Sequence, residues 1–312
     1  MKKLFAFFKL VRWPNLLITA LMMSLVCHSI MGVESSIGFT LLIISMVFVV
    51  AGGYVINDIF DKDIDEFNKP DKLIVGKIFT ERQCKVFYWT LTIIGLACSL
   101  AASLIICGRR FIPVFSFMPL LACLFYSYSS RYKREPVIGN LIVSLSVALA
   151  VFLPWISQVL SMLGNEQMII ENQEWMRVTL RIVLIYTVFA FMMTLIREIV
   201  KDMEDVKGDG RFHCRTIPVV WGLNTAQIIV IAMSFVTCVM IWNAADYFNG
   251  LGFNITHYML YASGLLVFFV IVNNFTSLVT EKSMRTEKQF RFQSMFLKIS
   301  MLIGVLSMFF IK

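Results

Sequence analysis

Two acidic clusters in the chain repeat one spacing of aspartates, D-x-x-D-x-x-x-D. They consist of Asp58, Asp61 and Asp65 in the first cluster, and of Asp202, Asp205 and Asp209 in the second. On an α-helix, with about 100° between successive residues, positions spaced in this way lie within an arc of roughly 60° and share one face. Stacked carboxylates repel one another unless a cation lies among them, and oxygen ligands suit Mg²⁺, which also binds phosphate oxygens. The clusters therefore predict a magnesium–diphosphate site.

All six aspartates are candidate metal ligands, and five of them are also expected to act in catalysis. Asp209 is the exception, because Gly208 and Gly210 are expected to end the helix before it. Asp63 lies within the first cluster but points away from the shared face.

The composition indicates where these clusters lie. Of the 312 residues, 58% are hydrophobic and only 15% are charged, and the mean hydropathy is +0.77. This is too apolar for a soluble domain, so we expect an all-α polytopic membrane protein with a single domain over residues 1–312. Nine apolar stretches have roughly the 20 residues that span a bilayer: 14–31, 37–57, 83–106, 111–128, 137–159, 178–199, 224–242, 256–279 and 291–311.

Lysine and arginine are concentrated in alternate loops. With nine spans and the N-terminus inside, the outside segments hold only a few of these cations: Arg109, Arg110, Arg177, Arg181 and Lys312. The positive-inside rule then places both acidic clusters on the cytoplasmic side, and we expect a bacterial inner membrane. Topology, anionic substrates and membrane lipids account for the net charge of +8, so no nucleic-acid partner is expected. The basic segment 1–12 precedes no cleavage signal, so 14–31 is expected to be a retained helix.

The order of the spans adds a further expectation. Four predicted spans separate the two clusters, so the helices that lead into them run in the same direction, which is typical of a parallel internal repeat. The seven cysteines are scattered and form no C-x-x-C pair, which argues against a disulfide framework and against a zinc site.

At these residues the chain resembles the UbiA superfamily of intramembrane prenyltransferases. Residues 57–65 resemble the family's first motif, N-D-x-x-D-x-x-x-D, and residues 68–72 resemble the N-x-P-D-R segment that follows it. The second cluster and the Arg-Thr-Ile-Pro of residues 215–218 resemble the second aspartate-rich motif and its trailing R-T-L-P. Weaker matches are Arg-Trp-Pro-Asn at 12–15 and the segment 126–140. Residues 197–205 are most similar to the branch that attaches geranylgeranyl to geranylgeranylglyceryl phosphate.

The resemblance implies about nine helices around a central chamber. It also implies Mg²⁺-dependent transfer of a polyprenyl group from its diphosphate donor to a lipophilic acceptor. The most similar branch indicates geranylgeranyl as the group and geranylgeranylglyceryl phosphate as the acceptor. The donor ionises when the charge on its leaving group is neutralised, and cations are expected to bind the outer phosphate oxygens. Lys62 is one such cation. The candidate substrate-binding residues are Asn15, Asn57, Lys72, Tyr126, Lys133, Arg197, Lys201 and Arg215.

Three alternatives remain at this point. The acceptor could be an aromatic ring, as in quinone biosynthesis, because basic residues bind a carboxylate as well as a phosphate. A transporter or a Mg²⁺-gated channel would also place carboxylates at helix ends, but it should carry charges near the middle of its spans, where this chain has little besides Lys298. A soluble trans-prenyl synthase shares aspartate-rich motifs but would not have nine apolar segments.

Overall fold

The computed structural model describes residues 2–33, 36–68, 73–212, 214–279 and 287–311. Within these ranges the chain is α-helical, and the only strand-like pairing is one isolated bridge between Val75 and Phe79. Nine of the described helices are long and apolar enough to cross a membrane. The all-α, nine-span prediction is confirmed, including the proline-containing stretch 111–128, which forms the helix Ile112–Ser130.

The chain divides into two compact units. Unit 1 comprises residues 1–132 and 150–183, and unit 2 comprises residues 133–149 and 184–312. The single domain expected over 1–312 stays a prediction, and so does the central chamber.

Unit 1 contains the helices that precede and carry the first cluster. They are α1 (Lys2–Leu10), α2 (Trp13–Leu25), α3 (Ile37–Phe60), α4 (Lys62–Asn68), α5 (Glu81–Cys107) and α6 (Ile112–Ser130). The unit also contains α8 (Glu166–Glu171) and parts of α7 (Ile138–Met162) and α9 (Gln173–Arg211).

The packing of α3 against α5 depends on small residues. A Cβ added at Gly52 of α3 would lie 2.8 Å from Thr92 Oγ1 of α5, and one at Gly95 of α5 would lie 2.8 Å from Val49 Cγ2 of α3. Without a hydrophobic driving force between helices in lipid, such close backbone approach is what holds them together. The pair fixes the end of α3, where the first cluster begins.

The first cluster does not lie on one continuous helix. α3 ends at Phe60, Asp61 has φ −88° and ψ −1°, and α4 begins at Lys62. Hydrogen bonds from Asp61 N to Asn57 O (2.9 Å) and from Asp65 N to Asp61 O (2.8 Å) continue the helical pattern across this break, and the shared face of the three aspartates stays a prediction. Aspartate favours such helix ends because its carboxylate bonds to nearby polar groups, and here Asn57 supplies the donor at 2.7 Å.

Unit 2 contains the remaining helices. They are the other parts of α7 and α9, then α10 (Ile217–Val220), α11 (Leu223–Gly250), α12 (Asn254–Val279) and α13 (Glu287–Ser307). Helix α9 runs to Arg211, so the prediction that it ends before Asp209 was wrong. Each glycine costs a helix only about 1 kcal/mol, and the hydrogen bonds Phe212 N to Gly208 O (3.1 Å) and Cys214 N to Asp209 O (2.9 Å) stabilise the last turn.

Helices α9 and α13 run antiparallel in unit 2. Lys207 Nζ lies 3.2 Å from Glu287 Oε1 at one end of the contact. At the other end, Tyr186 Oη and Ser307 Oγ share a hydrogen bond of 2.8 Å. Between these two contacts the residue numbers fall along α9 by about as much as they rise along α13, so the register is constant along the pair.

Candidate active site

The first cluster begins with an ion pair that crosses from the end of α3 to the start of α2. Arg12 Nη2 donates to Asp58 Oδ1 at 2.9 Å, and the two side chains are 39% and 18% exposed. Arg12 has φ +52°, in the left-handed region, which directs the chain from α1 into α2. Its guanidinium lies over the ring of Tyr54, 4.7 Å from the centroid, and Asn15 Nδ2 donates to Tyr54 Oη at 3.1 Å.

This arrangement keeps Arg12 charged. Burial lowers the pKa of the guanidinium, but the neighbouring Asp58 carboxylate, together with Tyr54, raises it by more, so the pKa lies above its ordinary value. The cation accompanies Asp58 at any physiological pH.

The other members of the first cluster differ in exposure. Asp61 is buried, at 6% exposure, and accepts the hydrogen bond from Asn57 Nδ2. Asp65 is half-buried and Asp63 is exposed, which agrees with the expectation that Asp63 points away from the site. Lys62 lies against the turn at Gly76, where an added Cβ would be 2.9 Å from Lys62 Cε. The cluster therefore offers Asp58, Asp61 and Asp65 from one short stretch of backbone.

Two further candidates belong to unit 1 by sequence. Tyr126 on α6 is exposed, and its ring meets Phe60 edge to face with centroids 5.9 Å apart. Lys72 lies outside the described residues.

In the second cluster Asp202 and Asp209 each accept a hydrogen bond from a neutral side chain. Asn140 Nδ2 of α7 donates to Asp202 Oδ2 at 2.9 Å, and Thr216 Oγ1 donates to Asp209 Oδ2 at 3.1 Å. Asp205 is half-buried on the same helix. Such neutral partners fix the orientation of the carboxylate oxygens, as the outer-shell partners of metal ligands do.

Cations accompany the second cluster as well. Lys133 and Lys201 interact electrostatically with Asp209, and Lys201 also interacts with Asp202. Arg215 is exposed, and its backbone N donates to Arg134 O at 2.9 Å, which ties the segment after α9 to the segment before α7. Arg197 Nη1 pairs with Glu198 Oε1 at 2.7 Å.

The donor set fits Mg²⁺. Among the described residues no three His, Cys, Asp or Glu side chains form a ready cluster. Mg²⁺ does not need one, because it binds through one or two carboxylates and takes its remaining ligands from water and substrate phosphates. Hard carboxylate oxygens from Asp58 and Asp61, or from Asp202 and Asp205, are the kind of ligands it prefers.

Sequence reasoning missed four partners of the predicted site. Arg12 and Tyr54 accompany the first cluster, and Asn140 and Thr216 accompany the second. Three of them occur in motifs noted above, at 12–15, 126–140 and 215–218, but their spacing does not indicate which carboxylate each one meets. Nothing in the sequence singles out Tyr54, because an aromatic residue inside an apolar span most often packs in the core.

Comparisons with known proteins identify the family of the chain. The model of the UbiA prenyltransferase family matches residues 15–300. A digeranylgeranylglyceryl phosphate synthase from Sulfolobus acidocaldarius is 30% identical over 236 residues, which cover 75% of this chain and 74% of that protein.

Two solved structures share the fold over nearly the whole chain. One concerns digeranylgeranylglyceryl phosphate synthase in membranes, with a TM-score of 0.66, 22% identity, and coverage of 99% of this chain and 98% of that one. The other is a UbiA homolog from Archaeoglobus fulgidus bound to DMAPP and Mg²⁺, with a TM-score of 0.58, 17% identity, and coverage of 96% and 98%. The chain is therefore an integral membrane prenyltransferase that belongs to the UbiA prenyltransferase family.

Proposed function

We propose that this enzyme transfers a geranylgeranyl group from geranylgeranyl diphosphate to geranylgeranylglyceryl phosphate in a Mg²⁺-dependent reaction. The observation that carries the choice of acceptor is the archaeal synthase that is 30% identical over about three quarters of both chains. The aspartates of each unit, with cations beside them, support the choice of a diphosphate donor.

In this reaction the free hydroxyl of the glycerol attacks the first carbon of the geranylgeranyl group. A carbon–oxygen ether bond forms, the bond from that carbon to the diphosphate breaks, and the hydroxyl proton is released. Mg²⁺, when bound, acts as a Lewis acid that neutralises the charge developing on the diphosphate. In our proposal Asp58, Asp61 and Asp65 would hold metal from unit 1, and Asp202, Asp205 and Asp209 from unit 2.

The remaining polar residues have positioning tasks. Asn57 and Asn140 orient the carboxylates of Asp61 and Asp202, so that no reorganisation is needed when charge develops. Lys133 and Lys201 lie close enough to Asp209 to bind phosphate oxygens that the metal leaves free. That both clusters serve one diphosphate stays a prediction.

The apolar part of the donor requires a site from which water is excluded, because water would capture the prenyl cation. Unit 2 contains a cavity of about 250 Å³ whose lining includes Tyr186, Phe189 and Met192 of α9 and Met240 of α11. We propose that the cavity binds part of the isoprenoid chain. The role of Tyr126, which could offer a ring face to a cation, stays a separate prediction.

We also propose that the site faces the cytoplasm of the cell, where Mg²⁺ and diphosphate metabolites are available. The Lys and Arg asymmetry of the loops supports this orientation. The relative compared above is archaeal, and the bacterial inner membrane stays a prediction.

The test is product analysis with the purified full chain in lipid nanodiscs. Geranylgeranyl diphosphate and Mg²⁺ are supplied with geranylgeranylglyceryl phosphate in one sample and with hydroxybenzoate or a naphthoate in another, and the products are identified by mass spectrometry. We expect an O-prenylated glycerol lipid that is absent after chelation with EDTA. A C-prenylated ring without the glycerol product would show that the acceptor is aromatic.

A further inference from the structure

The most unusual charge in unit 2 is Lys298. It lies near the middle of the membrane-spanning helix Glu287–Phe310, and its side chain is exposed. A lysine that faced lipid at this depth would be costly, so such residues face a polar cavity or the interior of a helix bundle. Among the described residues no carboxylate forms an ion pair with Lys298. Its charge is therefore available to a bound anion.

The register of α9 and α13 shows which residue of α9 lies at the level of Lys298. Arg291 Nε of α13 donates to Glu204 Oε1 of α9 at 2.9 Å. Seven residues further along α13 is Lys298, and seven residues back along α9 is Arg197. Because the two helices are antiparallel, Lys298 lies at the level of Arg197. It also interacts electrostatically with Lys201 of the same helix.

Positive charge is in excess at this level. Glu198 pairs with Arg197, and Glu204 pairs with Arg291. Lys201 interacts with Asp202 and Asp209 of the second cluster, so Arg197 and Lys298 have Glu198 as the carboxylate they share. Arg197 Nε is buried, and no described residue accepts a hydrogen bond from it. Two cations that share one carboxylate, with a buried guanidinium donor unused, form a site for an anionic group. A phosphate monoester has a charge of about −1.5 to −2 at pH 7.

We propose that Arg197 and Lys298 bind the phosphate group of the acceptor lipid. This inference rests on the proposed function, which gives the acceptor a phosphate monoester. The donor's diphosphate is the assigned partner of the metal ligands, whereas the acceptor's phosphate has no metal of its own and needs side-chain cations. Arg197 precedes Asp202 by five residues, about 7.5 Å along a helix axis. Glycerol carries its phosphate and its free hydroxyl only a few bonds apart, so an acceptor held here would keep its hydroxyl close to the second cluster.

The test compares two acceptors in the wild type and in Lys298→Gln. One acceptor is geranylgeranylglyceryl phosphate, and the other is the same glycerol ether without its phosphate. We expect the variant to raise KM for the phosphorylated acceptor by about tenfold or more, as for the loss of a charge-assisted hydrogen bond. KM for the donor and turnover of the unphosphorylated acceptor should stay unchanged.

The matched control is Lys288→Gln, which removes the same charge from the same helix without touching the proposed site. Lys298→Arg should restore most of the affinity for the phosphorylated acceptor. If Lys298→Gln does not fold, Lys298→Met, which also removes the charge and keeps a long side chain, takes its place in the same comparison.

Two outcomes would overturn the inference. One is an equal loss with both acceptors, and the other is a rise in KM for the donor in place of the acceptor, which would assign the cations to the diphosphate. Failure of the wild type to use geranylgeranylglyceryl phosphate would instead refute the proposed function, so the two failures are distinguishable.

Discussion

Arg12 and Asp58 are 46 residues apart in sequence and share a hydrogen bond of 2.9 Å. The first carboxylate of the first aspartate-rich cluster therefore has a cation of the protein itself as its partner. A Mg²⁺ ion that binds Asp58 must compete with this guanidinium for the same oxygen. The pair thus sets how strongly unit 1 attracts its metal.

We expect Arg12→Gln to lower the Mg²⁺ concentration that gives half-maximal activity. Removal of a partly exposed ion pair is worth about 1 kcal/mol, so the change should be about fivefold. The measurement is initial rate against Mg²⁺ concentration at saturating donor. Arg12→Lys, which keeps the charge, should resemble the wild type, and a variant that needs more Mg²⁺ would show that Arg12 assists metal binding.

Substitutions in the clusters should abolish transfer. Asp58→Ala, Asp61→Ala and Asp202→Ala are each expected to reduce the rate by about 100-fold or more, because they leave the developing charge on the leaving group uncompensated. Rates are measured on purified variants whose elution in size-exclusion chromatography matches that of the wild type. Asp63→Ala is the control, since Asp63 is exposed and belongs to the same acidic stretch.

Normal turnover in any two of the three variants would remove the metal assignment. The double variant Asp58→Asn/Asp202→Asn extends the test. If both residues act on one diphosphate, its rate should be close to that of the slower single variant, since effects within one catalytic unit are not additive.

Asn140 should act as a positioning residue for Asp202. Asn140→Ala removes the hydrogen bond of 2.9 Å, and we expect about a tenfold fall in kcat, while Asn140→Asp adds a like charge and should cost more. Kinetics at several Mg²⁺ concentrations would separate positioning from simple loss of fold, because added metal should partly rescue Asn140→Asp and not Asn140→Ala. Ser146→Ala on the same helix, whose hydroxyl donates to Ile142 O at 2.7 Å, is the control.

The membrane orientation can be tested by cysteine labelling in a background without native cysteines. We expect residue 207 to be accessible from the cytoplasm, and residues 172 and 249 from the outside. The predicted inside positions Lys69 and Arg285 lie outside the described residues and can be labelled in the same way. Labelling of residue 207 from the outside would contradict the orientation, and with it the cytoplasmic location of the second cluster.

Much of this architecture could be predicted from the sequence, because the bilayer imposes a simple length rule on apolar helices. The helix that leads into the second cluster was underestimated, with 178–199 expected and Gln173–Arg211 observed. Its C-terminal part is polar and glycine-containing, and only its hydrogen bonds to residues after the helix show that it stays helical. The partners of the carboxylates could not be predicted, because a contact such as Asn140 with Asp202 depends on tertiary packing. The aspartates can be singled out from the sequence because metal binding favours carboxylates at this spacing, and their role as metal ligands stays a prediction.

The continuity of α9 has a consequence for selectivity. Arg197, Lys201, Asp202 and Asp205 are carried by one unbroken helix, so their separations along its axis are fixed at about 1.5 Å per residue. If the acceptor and the metal are held as we propose, this helix fixes the distance between the acceptor's phosphate and the reacting carbon. An insertion of one residue between Arg197 and Asp202 would turn the two groups of side chains about 100° away from each other. Selectivity for the length of the acceptor's headgroup would then depend on the geometry of the helix backbone, and not on the shape of a pocket.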